Sequence, residues 1–391
     1  MKKLLYTLFF IGAVLAFSRA NGEVTLKRDR LESPAQGRPE TRSQDSLKIK
    51  WWNPSQHSSP VIEGQAWPGE VAGFYDRLPA RAQKTVREAV WDLSRESAGL
   101  LIRFRSDAPE IQVRYTVEDA LDMPHMPSTG VSGLDLYSPN EDGQWEWTAG
   151  KYSFKDTITY HFQSLPHGNK REYHLYLPLY NKVKWLEIGV SGNAALEPLP
   201  PRKEKPIAIY GTSIAQGGCA SRPGLAWTSI LGRKLNRPVI NLAFSGNGRL
   251  ETALVDLLVE LDPALFVIDC LPNMSGFPDD TIKTRLTNTI STLLKKRPGI
   301  PVLVTEHADA DINSLNTLRE GGFDRVNKLA REALTLLKTK GLQPVHLLSA
   351  EEIALGIEST VDGVHPNDIG MMEYAQAYEK AIRDILHEKD R

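Results

Sequence analysis

The spacing of apolar residues changes once along this chain, and the change limits what each side can fold into. Before "NAALEPLPPRKEKP", Asn193 to Pro206, apolar and polar residues alternate in short segments such as "LLIRFRS", "IQVRYTV", "ITYHF", "YHLYLPL" and "VKWLEIGV", divided by Gly, Pro, Asn and Asp. Successive side chains of a strand point to opposite faces, so many short segments of this period predict an antiparallel β-sandwich. One helix-like segment, "ARAQKTVREAVWDLS", interrupts it. After the connector, continuous apolar runs ("IAIYG", "PVINLAF", "ALFVIDC", "IPVLVTE", "PVHLLS") alternate with amphipathic stretches such as "DTIKTRLTNTISTLLKKR" and "FDRVNKLAREALTLLKTK". Strands without a polar face must be covered on both sides, which predicts a parallel sheet between helical layers. The expected organisation is a β-sandwich domain over 47–200 and an α/β domain over 201–391, and with 41% hydrophobic residues in 391 each can bury a core.

The first residues belong to neither domain. Lys2 and Lys3 precede an uncharged run from Leu4 to Phe17, and Ser18-Arg19-Ala20 offers small residues for cleavage, so 1–20 reads as a secretory signal peptide. The run is too short to span a bilayer, and no cysteine follows it to carry a lipid, so no stable membrane anchor is expected. Residues 21–46 are polar and aperiodic and read as a flexible leader. The mature protein is therefore expected in the periplasm or outside the cell. Loss of Lys2, Lys3 and Arg19 takes the formal charge from −1 to −4, which gives no basic balance to hold nucleic acid or an anionic membrane, and no nucleic-acid partner is expected. Cys219 and Cys270 are the only cysteines, either two buried thiols or one bridge, and thiols are favoured.

Open parallel sheets bind ligands at the carboxyl ends of their strands, so the strand exits are where chemistry is sought. The first exit, "IYGTSIAQGG", places Ser213 just beyond Gly211, with Gly217 and Gly218 expected to keep the mouth open. The second, "NLAFSGNG", carries Gly246, whose backbone N–H can approach a bound atom closely. At the third, "DCLPNMSG", Asn273 can supply a side-chain N–H. Together with the Ser213 N–H, these donors from adjacent strand ends would form an oxyanion hole. Near the end, "TVDGVHPNDIGM" contains Asp362 and His365. His365 can take the Ser213 proton, and Asp362 can stabilise the imidazolium that results.

These blocks resemble the SGNH, or GDSL-type, hydrolase superfamily from about Lys205 onward. "YGTSIAQGG" resembles its nucleophile block with Thr212 in place of the usual Asp, "FSGNG" its glycine block, and "DGVHP" its Asp-x-x-His block. "LPNM" resembles its Gly-x-Asn-Asp block, with Leu271 and Met274 as departures. Upstream, "GVSGLDLY", Gly130 to Tyr137, resembles the Gly-x-Asp-Leu-Tyr signature of a β-domain fused to such hydrolases. The resemblance implies a flavodoxin-like three-layer α/β/α domain with Ser213 as nucleophile, His365 as base, Asp362 as its orienting acid, and Gly246 and Asn273 as oxyanion donors.

The function expected is an exported serine esterase acting on a small acyl group, acetyl above all, carried by a carbohydrate. Acyl transfer follows from the residue roles; the sugar rests on export, on the resemblance and on aromatic residues able to stack on rings. Seven of the eight tryptophans precede the α/β domain, and most are expected in the sandwich core. One alternative is a lipase or thioesterase, disfavoured because the exit loops are small or polar and argue for a shallow site. Another is a non-catalytic carbohydrate-binding protein. No cofactor or metal is expected: "DADIN" from Asp309 with Glu320 imitates a calcium loop, but Ser314 stands where such a loop needs glycine. The partner is a small-molecule or oligosaccharide ester. His125 and Met126, in an irregular stretch of the β-domain, are expected at the substrate mouth, as are Glu306 and His307 at the fourth strand exit.

Overall fold

The computed structural model describes residues 48–308 and 323–388. The signal peptide, the leader and the calcium-like loop lie outside the described residues. The N-terminal region runs β1 (Ile49–Trp52), β2 (Ile62–Glu63), α1 (Glu88–Ser94), β3 (Leu101–Ser106), β4 (Ile111–Val117), α2 (Ser128–Val131), β5 (Asp135–Pro139), β6 (Trp145–Thr148), β7 (Lys151–Ser153), β8 (Ile158–Phe162), β9 (Arg171–Tyr176), β10 (Val183–Ser191) and β11 (Leu196–Pro198). One antiparallel sheet has the order β1-β10-β4-β8-β7 and the other β11-β3-β9-β5-β6, with β2 added on β3. Alternate residues of their strands fill the space between them: Ile102, Phe104, Tyr173 and Leu175 from one sheet meet Val113, Tyr115, Leu186 and Ile188 from the other. Part of the connector is itself structured. Its Leu196 pairs with Ser106 at the sheet edge, where the missing N–H of Pro198 does little harm.

The α/β region runs β12 (Ile207–Gly211), α3 (Ser213–Gln216), α4 (Trp227–Lys234), β13 (Val239–Ala243), α5 (Thr252–Leu258), β14 (Leu265–Asp269), α6 (Asp279–Lys296), β15 (Val302–Thr305), α7 (Asp324–Thr339), β16 (Val345–Leu348), α8 (Ala350–Ile353) and α9 (Asp368–Leu386). The sheet is parallel with the order β13-β12-β14-β15-β16, the flavodoxin-like arrangement. One face packs on α5, α6 and α7 and the other on α4 and α9. The chain adds β13 on one side of β12 and then crosses to add β14 on the other, so the crevice at the carboxyl ends of β12 and β14 is where the topology puts a ligand.

The helix-like segment of the β region is a 3₁₀ turn, Ala80–Lys84, followed by α1. It does not join the sandwich. Its Ala82 and Val90, with Trp67 and Leu78, complete the core of the α/β sheet against Leu242, Phe244 and Leu254. The tryptophans also depart from expectation. Trp67 is buried and Trp91 packs in that second core, Trp51 and Trp185 stack on Arg114 of β4, and only Trp52 packs on the sandwich interior. Cys219 and Cys270 are both buried free thiols. Among the described residues no helix is long and apolar enough to cross a membrane.

Candidate active site

At its C-terminal end β12 pairs Gly211 with Ala243 on one side and Asp269 on the other. The three expected strand exits therefore leave the sheet side by side. Gly211 is required here because a Cβ would meet the Ala215 methyl at 2.6 Å. Thr212 caps α3, and Ser213 is its first residue. The helix lasts a single turn: Gly217 adopts φ +112°, and the N–H groups of Gly217 and Gly218 both donate to the Ser213 carbonyl, at 3.1 and 2.8 Å. These two glycines are buried and terminate the helix. They do not line an open mouth, a correction to the expectation, because a turn this tight needs a left-handed residue with no side chain.

The Ser213 hydroxyl lies 2.8 Å from His365 Nε2, and His365 Nδ1 lies 2.8 Å from an Asp362 carboxylate oxygen. A carboxylate only accepts, so Nδ1 carries the imidazole proton and Nε2 is left to accept from the hydroxyl. The Asp-x-x-His spacing explains the precision. The second Asp362 oxygen accepts the backbone N–H groups of Val364 and His365, at 3.0 and 2.8 Å, so one side chain sets both the loop and the ring. Burial pushes the Asp362 carboxyl up, but the His365 amide and ring and the Val364 amide outweigh it and hold it at about 2. In a hydroxyl, an imidazole and a carboxylate so arranged, the imidazole can take the hydroxyl proton while the carboxylate stabilises the imidazolium.

Gly246 sits at φ +67° with nothing near its Cβ position, in the turn after β13. Asn273 lies in a 3₁₀ turn, Leu271–Met274, after β14. Its side-chain oxygen accepts the Gly248 N–H at 3.1 Å, which turns its amide nitrogen away from that partner. Leu271 and Met274 are buried apolar residues that fasten the turn to the core, so the departures from the family pattern leave Asn273 beside the glycine block.

Of the residues expected at the mouth, the structure brings one to it. His125 is exposed at the tip of a turn closed by reciprocal Met123 and Met126 backbone bonds, and its ring centroid is 6.2 Å from that of His365. Met126 is buried against the α/β region with Ala220, because the turn needs an apolar anchor. Glu306 is fully buried, accepting from Arg331 and the Ala350 N–H, and presents no surface. His307 is buried edge-on against Phe323, and burial, with the nearby His365, pushes its pKa down to about 3. It is a neutral packing residue here, since no partner rewards its charge.

Sequence reasoning missed how the signature "GLDLY" is used. Asp135 accepts from Arg222 at 2.8 Å, from the Gly224 N–H at 2.8 Å and from the Trp147 indole at 2.8 Å, while Arg222 also donates to the Tyr137 hydroxyl and stacks on Trp147. The signature is a clasp onto the segment that follows the Ser213 turn. Arg222, 85 or more positions away in sequence, carries no local mark of this role.

A flavodoxin-like α/β domain with serine, glycine and asparagine at adjacent strand exits and Asp-x-x-His in the loop before its last helix has the arrangement of the SGNH class of hydrolase. Residues 204–383 match the GDSL-like lipase/acylhydrolase family, and 49–196 match the GxDLY model for the N-terminus of SGNH-hydrolase-type esterases. A GDSL-like lipase structure from Bacteroides ovatus is 30% identical, with TM-score 0.80 over 88% of this chain and 100% of its own. The chain belongs to the GDSL-like lipase/acylhydrolase family. Two more distant structures share the fold: the salicylyl-acyltransferase SsfX3 of a tetracycline biosynthetic pathway (20% identity, TM-score 0.70, 90% of this chain, 100% of its own) and a family two carbohydrate esterase from Cellvibrio japonicus (13%, 0.55, 87% and 99%). No curated protein matches the sequence.

Proposed function

We propose that the chain is an exported serine esterase that removes small acyl groups, acetyl above all, from carbohydrates. The observation that carries the reading is the unbroken line from Ser213 to His365 to Asp362, each step 2.8 Å. Ser213 attacks the ester carbonyl while His365 takes its proton and Asp362, a carboxylate at any working pH, stabilises the imidazolium. The carbonyl oxygen becomes an oxyanion held by the N–H groups of Ser213, Gly246 and Asn273. Collapse expels the alcohol, which takes the proton from His365. Water then attacks the acyl-enzyme by the same route, releasing the acid and restoring Ser213. Side-chain exposures of 26% for His365 and 45% for Asp362 favour a shallow mouth over a deep acyl tunnel. His125 at that mouth gives the β-domain a place beside a bulky alcohol such as a sugar. The Cellvibrio japonicus carbohydrate esterase shares the fold, and the apolar run at the N-terminus supports export.

The test measures p-nitrophenyl acetate turnover and acetate release from acetylated oligosaccharides. Ser213→Ala should keep the fold and lower kcat by roughly 10⁴- to 10⁶-fold. A near-normal rate in that variant sinks the mechanism, and turnover of the nitrophenyl ester with no release from any oligosaccharide removes the sugar.

A further inference from the structure

We propose that the β-region helix α1 sets the geometry of the oxyanion loop 244–248, through Arg87 at its N-terminal end and Glu96 just past its C-terminal end, which makes both of them positioning residues. The proposal rests on the esterase reading and deepens it. No motif of the family resemblance includes either residue.

The first relay starts at Glu96. Its carboxylate accepts from the side-chain nitrogen of Gln216, which is fully buried on α3 in the same turn as Ser213. Burial pushes the Glu96 carboxyl up to about 7 against the pull of Arg77 and of the Gln216 bond; above that pH it is a carboxylate with no proton to offer, and it holds the Gln216 nitrogen toward itself and the oxygen away. That oxygen accepts the Ser245 N–H at 2.9 Å. The Ser245 donor is thereby occupied, and the next one along the chain, Gly246 N–H, is the donor left for a substrate oxyanion.

The second relay grips the other side of the loop. Arg87 donates to the Asn247 side-chain oxygen at 2.7 Å, and the Asn247 nitrogen donates to the Ser245 carbonyl at 2.7 Å. Arg87 is itself held by Glu251 at 2.6 Å. Gly246 has φ +67° and nothing within 4 Å of its Cβ position, so its own environment supplies little to hold it. Oxyanion donors act by being fixed before charge develops, and misplacement by about 1 Å can cost about 10²-fold in rate. The rigidity has to come from neighbours, and here the neighbours are anchored in the other domain.

The experiment is steady-state hydrolysis of p-nitrophenyl acetate by the full chain at about pH 8.5, where Glu96 is ionised, with melting temperatures recorded in parallel. Glu96→Gln keeps an acceptor but no longer fixes which way round Gln216 lies, and should lower kcat by less than Gln216→Glu does. Gln216→Glu places two carboxyl groups face to face and should lower kcat by about 10- to 10²-fold with KM little changed. The double variant Glu96→Gln/Gln216→Glu restores a donor–acceptor pair in reverse and leaves an oxygen for Ser245, losing only the 3.3 Å contact to the Leu179 carbonyl. It should recover kcat to within about fivefold of wild type. Arg87→Ala, at a half-exposed site where misfolding is not expected, should lower kcat by about tenfold. Unchanged kcat in Gln216→Glu, or a double variant no better than that single one, overturns the proposal; if Gln216→Glu does not fold, unchanged kcat in Arg87→Ala overturns it. A wild-type chain without Ser213-dependent turnover would instead bring down the esterase reading beneath it.

Discussion

Asn273 shows how one side chain serves two ends. Its oxygen is spent on Gly248 and its nitrogen is the proposed oxyanion donor, so replacement tests both roles at once. Asn273→Ala should lower kcat by roughly 10²- to 10³-fold with little change in KM, the usual effect of losing one such donor. Asn273→Asp keeps the acceptor for Gly248 and loses only the donor. Equal losses in the two variants assign the effect to the donor, while a much milder loss in the Asp variant assigns it to the loop. At this scale the sequence was legible where a residue's partner lies close along the chain or at a neighbouring strand exit. The Asp362–His365 pair is the clear case, since a spacing of three lets the carboxylate bind amide and ring together. Glu306 and His307 were misplaced because a polar residue at a strand exit reads alike whether it faces solvent or turns inward, as Glu306 does to accept from Arg331 and the Ala350 N–H and His307 does against Phe323.

At the scale of elements, β14 carries an unusual burden. It ends in Asp269, buried at 2% exposure with one carboxylate oxygen lacking any partner, beneath Tyr378 of α9. Tyr378 stacks flat on Trp227 at 4.1 Å and donates its hydroxyl to Thr305 at 2.8 Å, which ties α9, α4 and β15 around the carboxyl group. Burial pushes the Asp269 pKa up to about 7. The unfolded chain ionises this group near pH 4 and the folded chain does not, so between about pH 4 and 7 the folded state binds the extra proton and stability falls as pH rises. The contribution is on the order of a few kcal/mol. Urea unfolding of wild type and Asp269→Asn across pH 4 to 8 should diverge: the amide cannot ionise, so the variant should lack this decline. Parallel curves would mean that Asp269 is ionised in the fold. A strand at β14 was legible in "ALFVIDC", an apolar run of strand length, but the same run gives no hint that Asp269 within it is buried with its pKa pushed up.

For the whole molecule, the two regions are not separable bodies joined by a linker. Arg77, only 1% exposed, donates to the carbonyls of Asn241 and Ala243 at 3.1 and 2.7 Å along the edge strand β13, and to Leu93 and Glu96 in its own region. It thereby satisfies acceptors at a sheet edge that has no further strand. Arg77→Ala should lower stability by roughly 3 kcal/mol or more, read as a lower urea midpoint, because charge-assisted bonds are lost and buried carbonyls are stranded. A shift below about 1 kcal/mol would show that water takes its place. The sequence by itself determined the two fold classes and the strand exits and paired Asp362 with His365, because periodicity and short spacings are properties of the local chain. Tertiary structure alone decided that "ARAQKTVREAVWDLS" belongs to the second core, that Asp135 and Tyr137 clasp Arg222, that Glu96 meets Gln216 and that Arg87 meets Asn247. The Arg222, Glu96 and Arg87 bonds join residues 85 to 160 positions apart, and a partner at that distance leaves no trace in the pattern around either residue.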